Sequence, residues 1–197
     1  MKLRLTIVVA LLLSAFRIGY LNAEELSFYE KETDKWWTVF GGANAETGQA
    51  TCYGRANKRD GSFIQIHRSL VDGEVWAIVH DTEWEIQGPD RGQLRWNFFN
   101  GLKNGLIAGA NFDYVLKDKN TILMLQIEPK NFSEALWNAR YFTLVMPGNV
   151  PNMSLSFENK GSSMLSSLVE CVKQNETKYK NFKPSPEKVP DSVKEQL

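Results

Sequence analysis

Two cysteines constrain this chain more than any other feature. Cys171 lies in the last amphipathic segment, and its one possible internal partner, Cys52, lies near the start of the folded part. From Met153 to Phe157 apolar and polar residues alternate with period two, the mark of a half-buried strand. Glu158 to Gly161 supplies a turn and Ser162 and Ser163 are helix-capping types. Met164, Leu165, Leu168, Val169 and Val172 then recur at helical spacing. Residues three and four apart share a helix face, so Cys171 stands with Met164 and Leu168. A Cys52–Cys171 bond would close a loop of over a hundred residues, worth about 4–5 kcal/mol in the chain-entropy model. It would staple the last helix back onto an early strand. Two buried free thiols or an intermolecular bond are the alternatives.

A disulfide needs an oxidising compartment, and the N-terminus offers a route to one. Lys2 and Arg4 form a positive start, Leu5 to Phe16 an apolar stretch, and Leu21-Asn22-Ala23 a small-residue cleavage position. The apolar run is too short to span a bilayer and Arg17 closes it. Residues 1–23 therefore read as a signal peptide, with an uncleaved anchor as the rival and the one expected membrane contact. The expected location is periplasmic or secreted. Removing residues 1–23 takes away Lys2, Arg4 and Arg17 and no acid, so 23 basic residues become 20 against 23 acidic ones, a net charge of about −3. That balance lacks the basic stripe that a nucleic-acid partner requires.

The 197 residues, 43% hydrophobic and 12% aromatic, suffice for one domain with a core and not for two. Residues 24–35 read as a polar leader, 36–174 as a single β-rich domain and 175–197 as a disordered polar tail carrying Pro184, Pro186 and Pro190. Within the domain, Trp36 to Phe40 is a strand ended by Gly41-Gly42, and Thr51 to Ala56 a second. Asp60-Gly61 turns into Ser62 to Arg68, and Asp72-Gly73 into Val75 to His80. Trp84 to Gln87 reads as a further strand. Leu94, Trp96 and Phe98 alternate on one face, as do Phe112, Tyr114 and Leu116. Thr121 to Ile127 is almost unbroken apolar, the pattern of a central strand covered on both faces. Asn131 to Glu134 resembles a capping box opening a short helix to about Ala139. Tyr141 to Met146 precedes the closing strand and helix. About nine or ten short strands with Gly, Pro, Asn and Asp between them predict a mainly β fold: an antiparallel β-sandwich or bent barrel with a C-terminal helix, disulfide-stapled.

The chemistry-bearing residues are few. His67 shares a strand face with Phe63 and Gln65, and His80 shares one with Trp76 and Ile78 and is followed by Asp81. Imidazole and carboxylate are ordinary zinc ligands, so His67, His80 and Asp81 are the candidate metal or hydrolytic set, though no HExxH spacing accompanies them. No GxSxG elbow surrounds Ser162, Ser163, Ser166 or Ser167, and no strand–GxGxxG–helix setting surrounds Gly101, Gly105 or Gly109. No cofactor is implied and no catalytic residue is assigned. The tryptophans are denser than a core needs, which makes Trp36, Trp37 and Trp84 candidate anchors for a partner, since an exposed tryptophan beside a polar rim is the usual hot spot.

Trp37 followed by Cys52, and the closing segment with Leu155, Gly161-Ser162, Leu165, Leu168 and Cys171, resemble the exported bacterial proteins grouped around invasion-associated locus B. The resemblance implies an envelope or secreted β-rich protein, in some bacteria linked to host-cell invasion, and carries no catalytic residues. Phe157 to Lys160 before the glycine and the proline-bearing tail depart from that pattern. The leading expectation is a non-catalytic β-domain that binds a protein or envelope partner. One alternative is an inhibitor or immunity protein that plugs an enzyme's cleft with the loop Gly88–Arg91 or Asn100–Gly105. Another is a metal-dependent hydrolase built on His67, His80 and Asp81.

Overall fold

A computed structural model describes residues 25 to 183, apart from 46, 88, 102–104 and 126. The expected signal peptide and residues 184–197 lie outside the described residues. Ten strands form one wholly antiparallel sheet. They are β1 (Glu25–Glu32), β2 (Trp37–Asn44), β3 (Gln49–Asn57), β4 (Phe63–Ser69), β5 (Val75–His80), β6 (Arg91–Phe99), β7 (Leu106–Asp118), β8 (Thr121–Met124), β9 (Tyr141–Val145) and β10 (Met153–Ser156). Their order in the sheet is β1-β2-β3-β4-β5-β8-β7-β6-β9-β10. Two helices, α1 (Pro129–Asn138) and α2 (Gly161–Tyr179), complete the fold among the described residues. No helix among the described residues is long and apolar enough to cross a membrane.

Period-two alternation sorts the strands into two faces. Val39, Cys52, Ile64, Ile66, Ala77, Val79, Trp96, Ile122 and Phe142 are all buried on the inner face. The sheet bends until its two ends meet: Trp37 of β2 stacks on Phe157 at 4.8 Å and lies 6.3 Å from Phe142 of β9. Burying such rings contributes about 1.5–3 kcal/mol each, and here they also close the sheet on itself.

Glycines set where α2 sits. A Cβ on Gly41 would meet Phe28 and the Cys171 sulfur, and one on Gly54 would meet the Met164 side chain. Gly41 pairs with Cys52 across β2 and β3. The helix therefore lies close over two positions without side chains, one on each strand, and the Cys52–Cys171 disulfide forms beside them with its Cα atoms 6.1 Å apart. The bent antiparallel sheet, the C-terminal helix and the staple are as the sequence predicts.

Several boundaries differ. Residues 24–35 are not a loose leader, because Glu25–Glu32 is an edge strand paired with β2. Residues 175–183 are not a disordered tail, because α2 runs to Tyr179, whose ring stacks on Phe28 of β1 at 4.8 Å and meets Phe182 edge-on. Each stretch supplies the partner that the other lacks. Strand β2 continues through Gly41-Gly42, since their small size admits the helix while the backbone stays extended. Trp84–Gln87 is irregular, not a strand; its backbone instead reaches Lys119 through the Ile86 N–H at 2.8 Å. β8 ends at Met124, and Leu125 is 46% exposed, so the apolar run is central in the sheet yet covered on one face only. Helix α1 opens two residues before the expected box, with Pro129 in its first turn, where a missing N–H costs nothing. Its Asn131 side chain donates to Glu128 at 2.8 Å. Helix α2 opens at Gly161 behind Lys160, and no side chain caps it.

Candidate binding surfaces

The three tryptophans proposed as anchors separate. Trp37 and Trp84 are core residues: Trp37 has no exposure, and Trp84 is buried with its indole N–H donating to the Pro151 carbonyl at 2.7 Å. Neither can offer a ring to a partner, because closing the bent sheet uses both. Trp36 remains 38% exposed, with the Lys35 ammonium 4.9 Å from its ring centre. Asp34 holds this corner by accepting the Trp36 and Trp37 backbone N–H groups at 2.9 and 3.1 Å.

The two histidines lie on the outer face of the β4–β5 hairpin, as their alternation predicts. The register places His67 opposite Trp76 and His80 opposite Phe63, at opposite ends of the pairing. His80 Nδ1 bonds the Thr121 hydroxyl at 2.9 Å and its ring stacks on Phe63 at 5.3 Å. Asp81 is buried, accepts the Glu83 N–H at 3.0 Å and lies 3.6 Å from the Lys58 ammonium. The three residues do not converge, and among the described residues no three potential ligands are grouped to hold a metal ion. Of the two loops proposed to plug an enzyme, Gly88 and residues 102–104 lie outside the described residues.

His67 instead belongs to a ladder that runs across four strands. Phe40 of β2 stacks on Tyr53 of β3 at 5.3 Å, Tyr53 on His67 of β4 at 4.6 Å, and His67 on Trp76 of β5 at 5.1 Å. These are directly opposed residues in the sheet, Phe40 with Tyr53, Tyr53 with His67 and His67 with Trp76. Cross-strand aromatic pairs of this kind each add about 0.2–1 kcal/mol. His67 is 8% exposed; its Nε2 bonds Gln65 Oε1 at 3.1 Å, and its Nδ1 is buried without a partner. Burial lowers the pKa of this imidazole from 6.5 to about 4, so it is a neutral ring in an aromatic stack at neutral pH. Phe40, Tyr53 and Trp76 are half-buried. Above them lies a cleft of about 450 Å³, rimmed by Ser27, Asn44, Gln49, Arg55 and Gln65. An aromatic floor under a polar rim is the composition of a binding surface.

The ladder is a feature that one sequence cannot show. Phe40, Tyr53, His67 and Trp76 lie on four separate strands, and only the register aligns them. The available signal was alternation: each stands opposite the core face of its own strand. No family model, no curated protein and no solved structure matches the chain.

Proposed function

We propose that this chain is an exported, non-catalytic β-domain that binds a protein or envelope partner, and that the partner sits in the cleft over the aromatic ladder. The observation that carries the reading is the Phe40–Tyr53–His67–Trp76 stack, whose Phe40, Tyr53 and Trp76 rings are half-exposed beneath a polar-rimmed cleft. A stack needed for the sheet alone has no use for that rim. Arg55 and Gln65 can donate to a partner's polar groups while the rings take up its apolar surface. The disulfide fits a non-cytoplasmic compartment, and periplasmic or secreted placement follows the expected signal peptide. The resemblance to the invasion-associated locus B group points to the same kind of partner, one at the envelope or on a host.

A photoreactive residue placed at Gln65 in cells, with one at Lys119 as control, tests this. A discrete adduct at position 65 that is absent at 119, and is lost in Trp76→Ala, is the expected result. No adduct at 65, or equal adducts at both positions, contradicts it. Loss of a hydrolytic activity in a folded His67→Ala/His80→Ala double variant would replace it with the enzyme reading.

A further inference from the structure

Besides Arg91–Leu94 of β6, which β9 does not reach, three places among the described residues leave a strand without a neighbour on one side, and they are not treated alike. β1 forms one end and carries Glu25, Glu30, Lys31 and Glu32. β10 forms the other end and is four residues long, just after Pro151. Charge, shortness and proline are the ordinary means of blunting an edge. The third place is inside the sheet. β7 pairs with β6 along nearly its whole length, from Leu106 to Val115, but with β8 only from Tyr114 to Asp118. Beyond Met124 the described chain keeps one bond to the sheet, from the Ile127 N–H to the Val75 carbonyl at 3.1 Å, before α1 begins. Among the described residues, no strand lies along Leu106–Phe112 on that side. This stretch reads Leu-Ile-Ala-Gly-Ala-Asn-Phe: seven residues with no charge and no proline.

We propose that the open edge of β7 over Leu106–Phe112 is a strand-acceptor site, which takes one extended segment of a partner protein into the sheet position that β8 vacates. The chemistry of the site is that of the backbone. In an antiparallel strand every second residue turns its N–H and C=O away from its neighbour, so a seven-residue edge of about 20 Å presents a row of donors and acceptors. A guest strand would satisfy them as β8 does further along, the mode called β-augmentation.

The space fits a single strand. A cleft of about 930 Å³ is lined by β7 residues 108 to 115, the first five of them on the open edge, and by Arg91, Gly92 and Gln93 of β6. Its far wall is Leu125, Glu128 and, from α1, Asn131, Phe132 and Ala135. One extended chain fits between wall and edge; the β7 edge of a second copy would bring its own wall with it. The walls also set a pattern for the guest. Ala108 and Ala110 stand over Phe98 and Trp96, their paired residues on β6, and Phe132 packs edge-on against both rings. These small residues leave room on the inner face for apolar guest side chains. On the outer face the guest would meet Gly109 and Asn111, which suit polar ones. The partner segment is therefore extended, with apolar residues at alternate positions.

The site is separate from the aromatic ladder, and its test stands apart from the proposed function. Purified, oxidised protein is used to select ligands from a displayed library of random octapeptides. The expected ligands alternate apolar and polar residues. Methylating every second backbone nitrogen of a selected peptide weakens its binding by about tenfold or more, as does Ala110→Lys, while Gln65→Ala on the other surface leaves it unchanged. If Ala110→Lys does not fold, the methylated peptide on the unaltered protein decides alone. Failure to select any peptide, selection of peptides without period two, or binding that tolerates methylation would overturn the proposal. So would a concentration-dependent dimer that Ala110→Lys dissolves, which would give the edge to a second copy.

Discussion

The half of the sheet under α2 and the half beside α1 solve the same packing problem in opposite ways. In the first, β2 and β3 lie under a helix that approaches over Gly41 and Gly54 and is fixed there covalently through Cys52 and Cys171. The exposed Lys31–Glu170 pair and the Phe28–Tyr179 stack tie β1 to the same helix. In the second, α1 meets the sheet through Phe132 and the aromatic cluster of Trp96, Phe98 and Phe112, and half of β7 has no described strand on one of its two sides. Leu106 is 56% exposed at the start of that stretch. A sheet held rigid at one side can leave an edge open at the other without losing the fold.

Substitutions at the closed side should have the largest effects. Trp37→Ala removes the ring that joins β2 to β9 and the segment after β10, and should cost about 3–5 kcal/mol in denaturant unfolding. Replacing both cysteines by serine should cost about 2–5 kcal/mol, with the loss absent when wild type and variant are compared under reducing conditions. Equal stability under oxidising conditions would mean that packing over Gly41 and Gly54 alone holds α2, and the contrast between the halves would weaken.

His67 gives the contrast a pH dependence. The unfolded chain takes up its proton near pH 6.5, the folded one only near pH 4, because burial in the stack disfavours the charged ring. Its contribution to stability is therefore intact above about pH 6.5 and is lost as pH falls toward 4, reaching about 3 kcal/mol below that window. Urea midpoints between pH 7 and 4 measure this, and His67→Gln should flatten the curve. A curve unchanged by that substitution would remove the buried neutral ring from the account.

A smaller effect, and a gain, is expected at the start of α2. Lys160 holds φ 87° and ψ 157°, a region that glycine alone occupies without strain. Lys160→Gly should raise stability by about 1 kcal/mol, seen as a higher unfolding midpoint. Gly161 beside it has no such freedom, since a Cβ there would meet the Leu136 carbonyl oxygen of α1.

Alternation made β3, β5, β6 and β9 legible, because each buries one face only, and two cysteines behind an expected signal peptide made the staple legible. What could not be read depends on partners distant in the chain. Leu26 and Phe28 alternate within β1, but four charged residues hide the pattern, and Phe28 gains its place only through Tyr179, far beyond it. Tyr179 and Phe182 are aromatic residues in a polar stretch, a weak signal of the same contact. Trp84 and Ile86 alternate like a strand and are buried like one, yet pair with no strand, because Trp84 is spent on the Pro151 carbonyl. The ladder and the open β7 edge follow from register and from where β8 ends, neither of which residue types specify.

Native-state hydrogen exchange resolved along β7 tests the contrast most directly. The amides of β2 and β3 beneath α2 should exchange slowly throughout. Along Leu106–Phe112 they should alternate, those bonded to β6 slow and those facing the cleft fast, and the alternation should vanish from Tyr114 onward where β8 pairs. Uniform slow exchange from Leu106 to Asp118 would show the edge already occupied and contradict the account.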